Sequence, residues 1–478
     1  MTVLGFFGAY IAIKLWESFI YSPILVTNED VQVREVPFPA VTICHPQSVI
    51  DYKVEGFLKD LSLPPNISRE QVAEKLVVLS MFTEFQWEPP DYAALALIDE
   101  VLLLNNISVS TAIERLGSTC EDFLRRCVWN GKEFPCYGDN ATSSSLKWHN
   151  SHSFVGSCCS FNYYPSGGTS LQTDFMGDEG GLKVVLTGGP QISDGKSGVM
   201  YSDGFLLVIH HPNDFPVESN YVTLIEERHE SFIQVYGTLF DSTSEVLGLP
   251  FDQRNCILPQ DIGRPFYRQP ACVLACVRAK AYEMCGCHPY HYPSPKFNPS
   301  IKRIRDCTVK DAACFVENMK TIMELQCVEC LPSCNDISYS VRSFKIELMS
   351  HNASFAPKYK LISDPEHEIL VNVYWAKQNV NVNRRIIVVN WVQMLANLGG
   401  CFNLVFGISA ISLIEIIYVL TVRFQYRIKN QFQRRFWKSE RIKFLLNIQN
   451  VPQKSNKCSK KLNNENVTRN VKCCQFLY

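Results

Sequence analysis

The stretch NLGGCFNLVFGISAISLIE, Asn397 to Glu415, decides how the chain is read. It is apolar enough to lie in a bilayer. Yet Gly399, Gly400, Gly407, Ser409 and Ser412 interrupt it, two asparagines lie within it, and it ends on an acid. It belongs to a longer apolar run, residues 386–422, with no charge before Glu415. At about 1.5 Å per residue, that run exceeds a straight crossing of a hydrocarbon core roughly 30 Å thick. The segment therefore either tilts or is interrupted near its small residues. Trp391 reads as an interface anchor.

Charge places the flanks. Residues 421–478 hold 14 Lys/Arg and 2 Asp/Glu, a net of +12, which leaves 32 basic and 45 acidic residues in 1–420, a net of -13. A sign change beside an apolar span is the positive-inside pattern, so the tail, 423–478, is expected in the cytoplasm. It opens with the basic amphipathic run RFQYRIKNQFQRRFWKSERIKF, read as an anchor on anionic lipid. Cys473 and Cys474 read as a reduced cytosolic pair.

At the other end, residues 1–25 form a first apolar segment: VLGFFGAYIAI, then Lys14 and Glu17, then SFIYSPILV. A cleaved signal peptide needs a basic start and a small-residue cleavage site. No Lys or Arg precedes Val3 and no such site follows, so a membrane helix is expected. With no cytoplasmic residues before that helix, the true N-terminus is expected to be missing.

Residues 26–385 form the middle, read as one large α+β domain. VQVREVPFPAVTIC, GLKVVLTG, GFLLVIHH, SNYVTLIEE, SFIQVYGTLF and ISYSVRSFKIEL are strand-like, and 68–82 and 270–285 suit helices. Of 20 cysteines, sixteen lie between Cys44 and Cys334. Asn-x-Ser/Thr sequons begin at Asn66, Asn106, Asn140 and Asn352; a further match at Asn466 reads as chance. Cys285-x-Cys287 and Cys327-x-x-Cys330 could hold zinc, but clustered, even cysteines among glycosylation sequons favour disulfides in an oxidising compartment. Spacing alone assigns no connectivity. The ten cysteines from Cys256 to Cys334 would stiffen a rod ending about 50 residues before the second apolar segment, placed to transmit movement. Tyr52 and the histidines of WHNSHSF read as solvated loop residues.

Several motifs then carry a resemblance in order: FPAVTIC, GSCCSFN at 156–162, QRNC at 253–256, CVLACVRAKAYEMCGCHPYHYP, CVECLPSCND, and NLGGCFNLVFGISAISLIEIIY. From about residue 5 to 425 the chain resembles the degenerin/epithelial sodium channel superfamily. GSCCSFN and CEDFLRRCVWNG are most like its insect pickpocket branch. The resemblance implies a membrane protein with two transmembrane helices, both termini cytoplasmic, and a large disulfide-rich α+β extracellular domain. It implies a trimeric channel at the plasma membrane. It implies the pairs Cys44–Cys158, Cys127–Cys136, Cys256–Cys334, Cys272–Cys330, Cys276–Cys327, Cys285–Cys314 and Cys287–Cys307, with Cys120–Cys159 as the branch's extra bridge.

The family's Gly-x-Ser constriction matches Gly407, Ile408 and Ser409, where backbone carbonyls and a hydroxyl would replace part of a small cation's hydration shell. Plain helix packing is the bland alternative for such small residues. A nucleophile elbow is excluded by Ile411. Ala396 matches the site where added bulk holds the pore open. Glu415 falls near the inner mouth, where an acid concentrates cations; a snorkelling charge is its alternative. The chain departs from the family at Asn403, Val405 and Ile408, where a glycine, an aromatic and a smaller residue are usual. It also lacks the His-Gly gating motif before the first helix.

The expectation is a subunit of a stimulus-gated, sodium-preferring, amiloride-sensitive channel. Its partners would be sodium ions, membrane lipid and other subunits of the family in a homo- or heterotrimer, with no nucleic acid, cofactor or metal and no enzymatic activity. A non-conducting modulatory subunit and a single-pass receptor with a cleaved signal peptide are the alternatives.

Overall fold

The structure, a computed structural model, describes residues 2–21, 24–45, 47–82, 90–137, 146–165, 167–187, 204–217, 220–263, 265–290, 305–349, 357–407, 409–431 and 435. The chain divides into a large unit, Glu17–Trp391, and a second unit made of Met1–Trp16 with Val392–Tyr478.

The described strands are β1 (Ile24–Gln32), β2 (Ala40–Cys44), β3 (Leu124–Trp129), β4 (Lys132–Phe134), β5 (Trp148–Ser153), β6 (Gly156–Phe161), β7 (Leu182–Thr187), β8 (Phe205–His210), β9 (Tyr221–Ile225), β10 (His229–Ser242), β11 (Asp336–Glu347), β12 (Glu368–Trp375) and β13 (Asn379–Ile387). They form two sheets. One runs β1-β13-β10-β12-β7-β3-β4 with β11 on the other edge of β10, and the other runs β5-β6-β2-β8-β9. The second sheet is antiparallel throughout. Apolar side chains of both sheets meet in one core, among them Ile43, Phe161, Phe205 and Leu207 with Val184, Val235, Val371 and Trp375. β12 is buried at all eight positions, the mark of a strand covered on both faces. In β13 the asparagines alternate with the buried Val380 and Val382.

The run VQVREVPFPAVTIC is not one strand. β1 stops at Gln32, a 3-10 turn takes Val33–Glu35, and β2 begins at Ala40 beyond two prolines that cannot donate to a ladder. β1 also starts at Ile24, inside the first apolar segment, and pairs Ile24 with Ile387 through to Gln32 with Asn379. Residues 386 and 387 therefore belong to β13, not to a helix.

The helices are α1 (Thr2–Tyr21), α2 (Asp51–Lys59), α3 (Arg69–Lys75), α4 (Tyr92–Leu104), α5 (Val109–Leu116), the single turns α6 (Cys120–Phe123), α7 (Ser244–Leu247) and α8 (Phe251–Arg254), then α9 (Gln269–Cys285), α10 (Ala312–Met323), α11 (Trp391–Phe406) and α12 (Ala410–Tyr418). A second core, with Leu76, Leu95, Ile98, Ile113 and Phe315, joins α3 to α5 with α10 and the Ala281 face of α9. The expected helix over 68–82 opens on a Ser68–Gln71 capping box but passes into a 3-10 turn at Leu76–Phe82.

Among the described residues no single helix is long and apolar enough to cross a membrane. The bent pair Tyr92–Leu104 and Val109–Phe123 passes by length and composition, but most of its apolar side chains are buried in the protein's own cores, Leu95, Ile98, Leu102, Ile113 and Leu116 in the second and Phe123 in the first.

Eight disulfides tie the large unit: Cys44–Cys158, Cys120–Cys159, Cys127–Cys136, Cys256–Cys334, Cys272–Cys330, Cys276–Cys327, Cys285–Cys314 and Cys287–Cys307. Cys272 and Cys276 stand one turn apart on α9 and bond a single returning segment, which makes two rungs of a ladder.

Candidate functional site at the broken second helix

The apolar run 386–422 is not one helix. α11 runs sixteen residues to Phe406. Gly407 then turns to φ +66° while its N–H still donates to the Asn403 carbonyl at 2.8 Å. That left-handed backbone carries little cost for glycine and a clear one for residues with a Cβ. Ile408 lies outside the described residues. Ser409 is extended, and its Oγ accepts the Ser412 N–H at 3.3 Å, capping α12. The helix thus breaks between Gly407 and Ser409. A helix end leaves carbonyls without intrahelical partners, and a hydroxyl lies two residues on. Carbonyl and hydroxyl oxygens are the groups that replace water around a small, hard cation.

Ala396, Gly399 or Gly400, Asn403 and Gly407 recur every three to four residues, so they form one stripe, and all five are exposed. A different stripe receives α1. A Cβ on Gly8 would lie 2.9 Å from Val405 Cγ1, and the Cys401 thiol points to the Gly8 carbonyl at 3.8 Å. Cys401 is five residues past Ala396, about 140° around the helix. Packing against α1 therefore does not account for the small-residue stripe. On α12, Glu415 is exposed one turn beyond Ser412. Around these positions large apolar side chains stand open, with Leu404 84% and Ile411 76% exposed. A contiguous apolar surface of this kind marks contact with lipid or protein.

The other candidate residues up to Asn352 lie in the large unit. Asn66 and Asn106 are exposed at left-handed turns, and each sequon's serine, Ser68 or Ser108, caps the next helix. Asn140, Asn352, Asn466, Cys473 and Cys474 lie outside the described residues. The histidines at 149 and 152 are not loop residues: they sit half-buried on β5, His149 Nε2 lying 3.0 Å from the Tyr163 carbonyl and His152 Nε2 3.6 Å from Glu114. Tyr52 is exposed on α2 and donates to Asp122 at 2.8 Å. Burial and that carboxylate push its hydroxyl up to about 12. Cys287, Cys307 and Asp311 cluster like metal ligands, but the two sulfurs are bonded to each other. The sequence reading missed the Gly8–Val405 contact; a glycine inside an apolar helix was the available signal.

Comparison with known proteins gives one consistent picture. The family described as "Amiloride-sensitive sodium channel" matches residues 1–419. The chain is 28% identical over 426 residues to the sodium channel protein Nach of Drosophila melanogaster, covering 83% of this chain and 76% of that one. It is 24% identical over 277 residues to pickpocket protein 28 of Drosophila melanogaster, covering 55% and 43%. It is 22% identical over 361 residues to the epithelial sodium channel subunit beta of Neoceratodus forsteri, covering 70% and 52%.

Proposed function

Because the chain belongs to the amiloride-sensitive sodium channel family, whose members are ion channels and not enzymes, we propose that it is a sodium-channel subunit whose conduction path narrows at Gly407–Ser409. The observation that carries this reading is the helix break at a positive-φ glycine followed by a capping serine. Its stripe of small residues faces away from α1, which leaves it open to equivalent helices of neighbouring subunits.

In this reading α1 and the run from Trp391 to residue 422 lie in the plasma membrane, without the sheet residues 24, 25, 386 and 387. The disulfide-tied middle, whose sheet runs from Ile24 to Ile387, is outside and carries glycans at its sequons, and the basic tail is in the cytoplasm. Three subunits of this family, alike or different, surround one pore. The exposed apolar side chains of α1, α11 and α12 are covered by lipid and by those subunits. The net charge of -13 on residues 1–420 raises the local cation concentration, and Glu415 does so at the inner mouth. Permeation prefers sodium, is blocked by amiloride and is gated from outside. Permeation is passive, so no catalytic group is required.

The test is voltage clamp of cells expressing the chain with Ala396→Val, after surface exposure is confirmed. A constitutive current that disappears in sodium-free bath and under amiloride is the expected result. Surface protein without current, alone or with relatives' subunits supplied, would sink the conducting role and favour a modulatory one.

A further inference from the structure

β10 changes its edge partner partway along. Glu230–Val235 pairs in parallel with β12, and Thr238–Ser242 pairs in parallel with β13. Tyr236 and Gly237 fall between the two registers. The gap opens a cavity of about 330 Å³. Gly237, in its lining, has no room for a side chain: a Cβ there would come within 3.0 Å of Val380 and 3.1 Å of the Trp375 ring. Trp375 itself keeps a buried indole N–H with no hydrogen-bond partner among the described residues.

The rim is chemically one-sided. Arg342 and Lys377 stand on it with Asn379, Asn381, Thr238 and Ser340, and none of the eleven lining residues is acidic. Arg342 is exposed and lies over the Tyr236 ring at 5.4 Å, which orients its guanidinium. Lys377 is exposed on the link between β12 and β13. This pair sits in a part of the chain whose net charge is -13. A planar guanidinium and a mobile ammonium, with neutral amide and hydroxyl donors in the same lining and Asp30 as the nearby carboxylate, opposite Asn381 across the β1–β13 pair, form a set that recognises carboxylates.

We propose that this cavity binds a small organic dianion, one carboxylate on Arg342 and the other on Lys377, with the Asn379 and Asn381 amides as further donors. The site is built by the strand exchange of the large unit and stands whether or not the chain conducts.

Succinate is the probe and succinamide its neutral counterpart, titrated calorimetrically into the full chain in detergent at low salt. Saturable succinate binding is expected, with none by succinamide. Arg342→Gln and Lys377→Gln should each weaken it about tenfold or more, since each removes a charge-assisted hydrogen bond. Arg342→Lys should retain more affinity than Arg342→Gln, and rising salt should weaken binding. These side chains are exposed, and unchanged melting temperatures would show that the variants fold. No saturable binding by the native chain, or equal binding by the double glutamine variant, overturns the proposal. So does sulfate competing as well as succinate, which would mean a site for inorganic anions only.

Discussion

At Gly407 the backbone, not the space around it, sets the requirement. The residue is held at φ +66°, yet nothing lies within 4 Å of where its Cβ would be. Crowding and backbone strain can therefore be separated there. Gly407→Asn should be tolerated best, because asparagine adopts the left-handed region at modest cost, whereas Gly407→Ala should cost roughly 1–2 kcal/mol and Gly407→Val more. Surface-normalised current is expected to fall in the order Gly, Asn, Ala, Val. Equal currents for Ala and Asn would show that the positive φ does not matter. In the sequence the triplet could be placed by its small residues, but not the conformation, because a glycine in an apolar run serves as well for close helix packing as for a turn. What decides is the pair of local bonds, Gly407 back to Asn403 and Ser412 back to Ser409.

Among the secondary elements, α9 shows what nested crosslinks can and cannot add. With Cys276–Cys327 in place, the Cys272–Cys330 rung closes only a short further loop, since its cysteines lie four and three residues away along the chain. The loop-entropy argument gives such a rung about 2–3 kcal/mol, against about 4–5 kcal/mol for the long closure of Cys44–Cys158, whose cysteines are 114 residues apart. Replacing both cysteines of a pair by alanine should lower the apparent melting temperature far less for the α9 rung than for the β2–β6 bridge. Equal losses would mean that strain or packing, not chain entropy, dominates. The strands of alternating or continuous apolar sequence were legible one by one: GFLLVIHH and SFIQVYGTLF stand where β8 and β10 do. Their pairing was not, because β10 takes two partners from distant sequence along a single edge and no local pattern encodes that exchange. Nor was α4 singled out, since an apolar helix packed on other helices carries little periodic signal; α5 does carry an amphipathic pattern, with Val109, Ala112, Ile113 and Leu116 buried along one face, but over only eight residues.

For the molecule as a whole, buried histidines set the response to acid. Burial lowers His45 and His210 to about 4 and His211 to about 3. His210 is held neutral: its Nδ1 donates to the His211 carbonyl, so Nε2 accepts from Thr42, which is 2.8 Å away. In the unfolded chain these rings protonate near 6.5, so as pH falls below that value the unfolded state gains protons first. Stability is therefore lost from about pH 6.5 down to about pH 4, at roughly 1.4 kcal/mol per pH unit for each such ring, before the carboxylates contribute. Melting temperature should fall steadily between pH 6.5 and 4.5, and His210→Gln should flatten that slope while lowering stability at neutral pH. A flat profile would show that these rings are not buried as neutral groups. A different consequence follows from where the crosslinks lie. Every described bridge joins cysteines within 44–159 or within 256–334, and none crosses between those stretches. Strand pairing ignores that frontier, since β2 lies beside β8, β7 beside β12 and β1 beside β13. A single backbone cut between residues 160 and 255 would leave two polypeptides that no covalent bond unites, interleaved like the fingers of clasped hands.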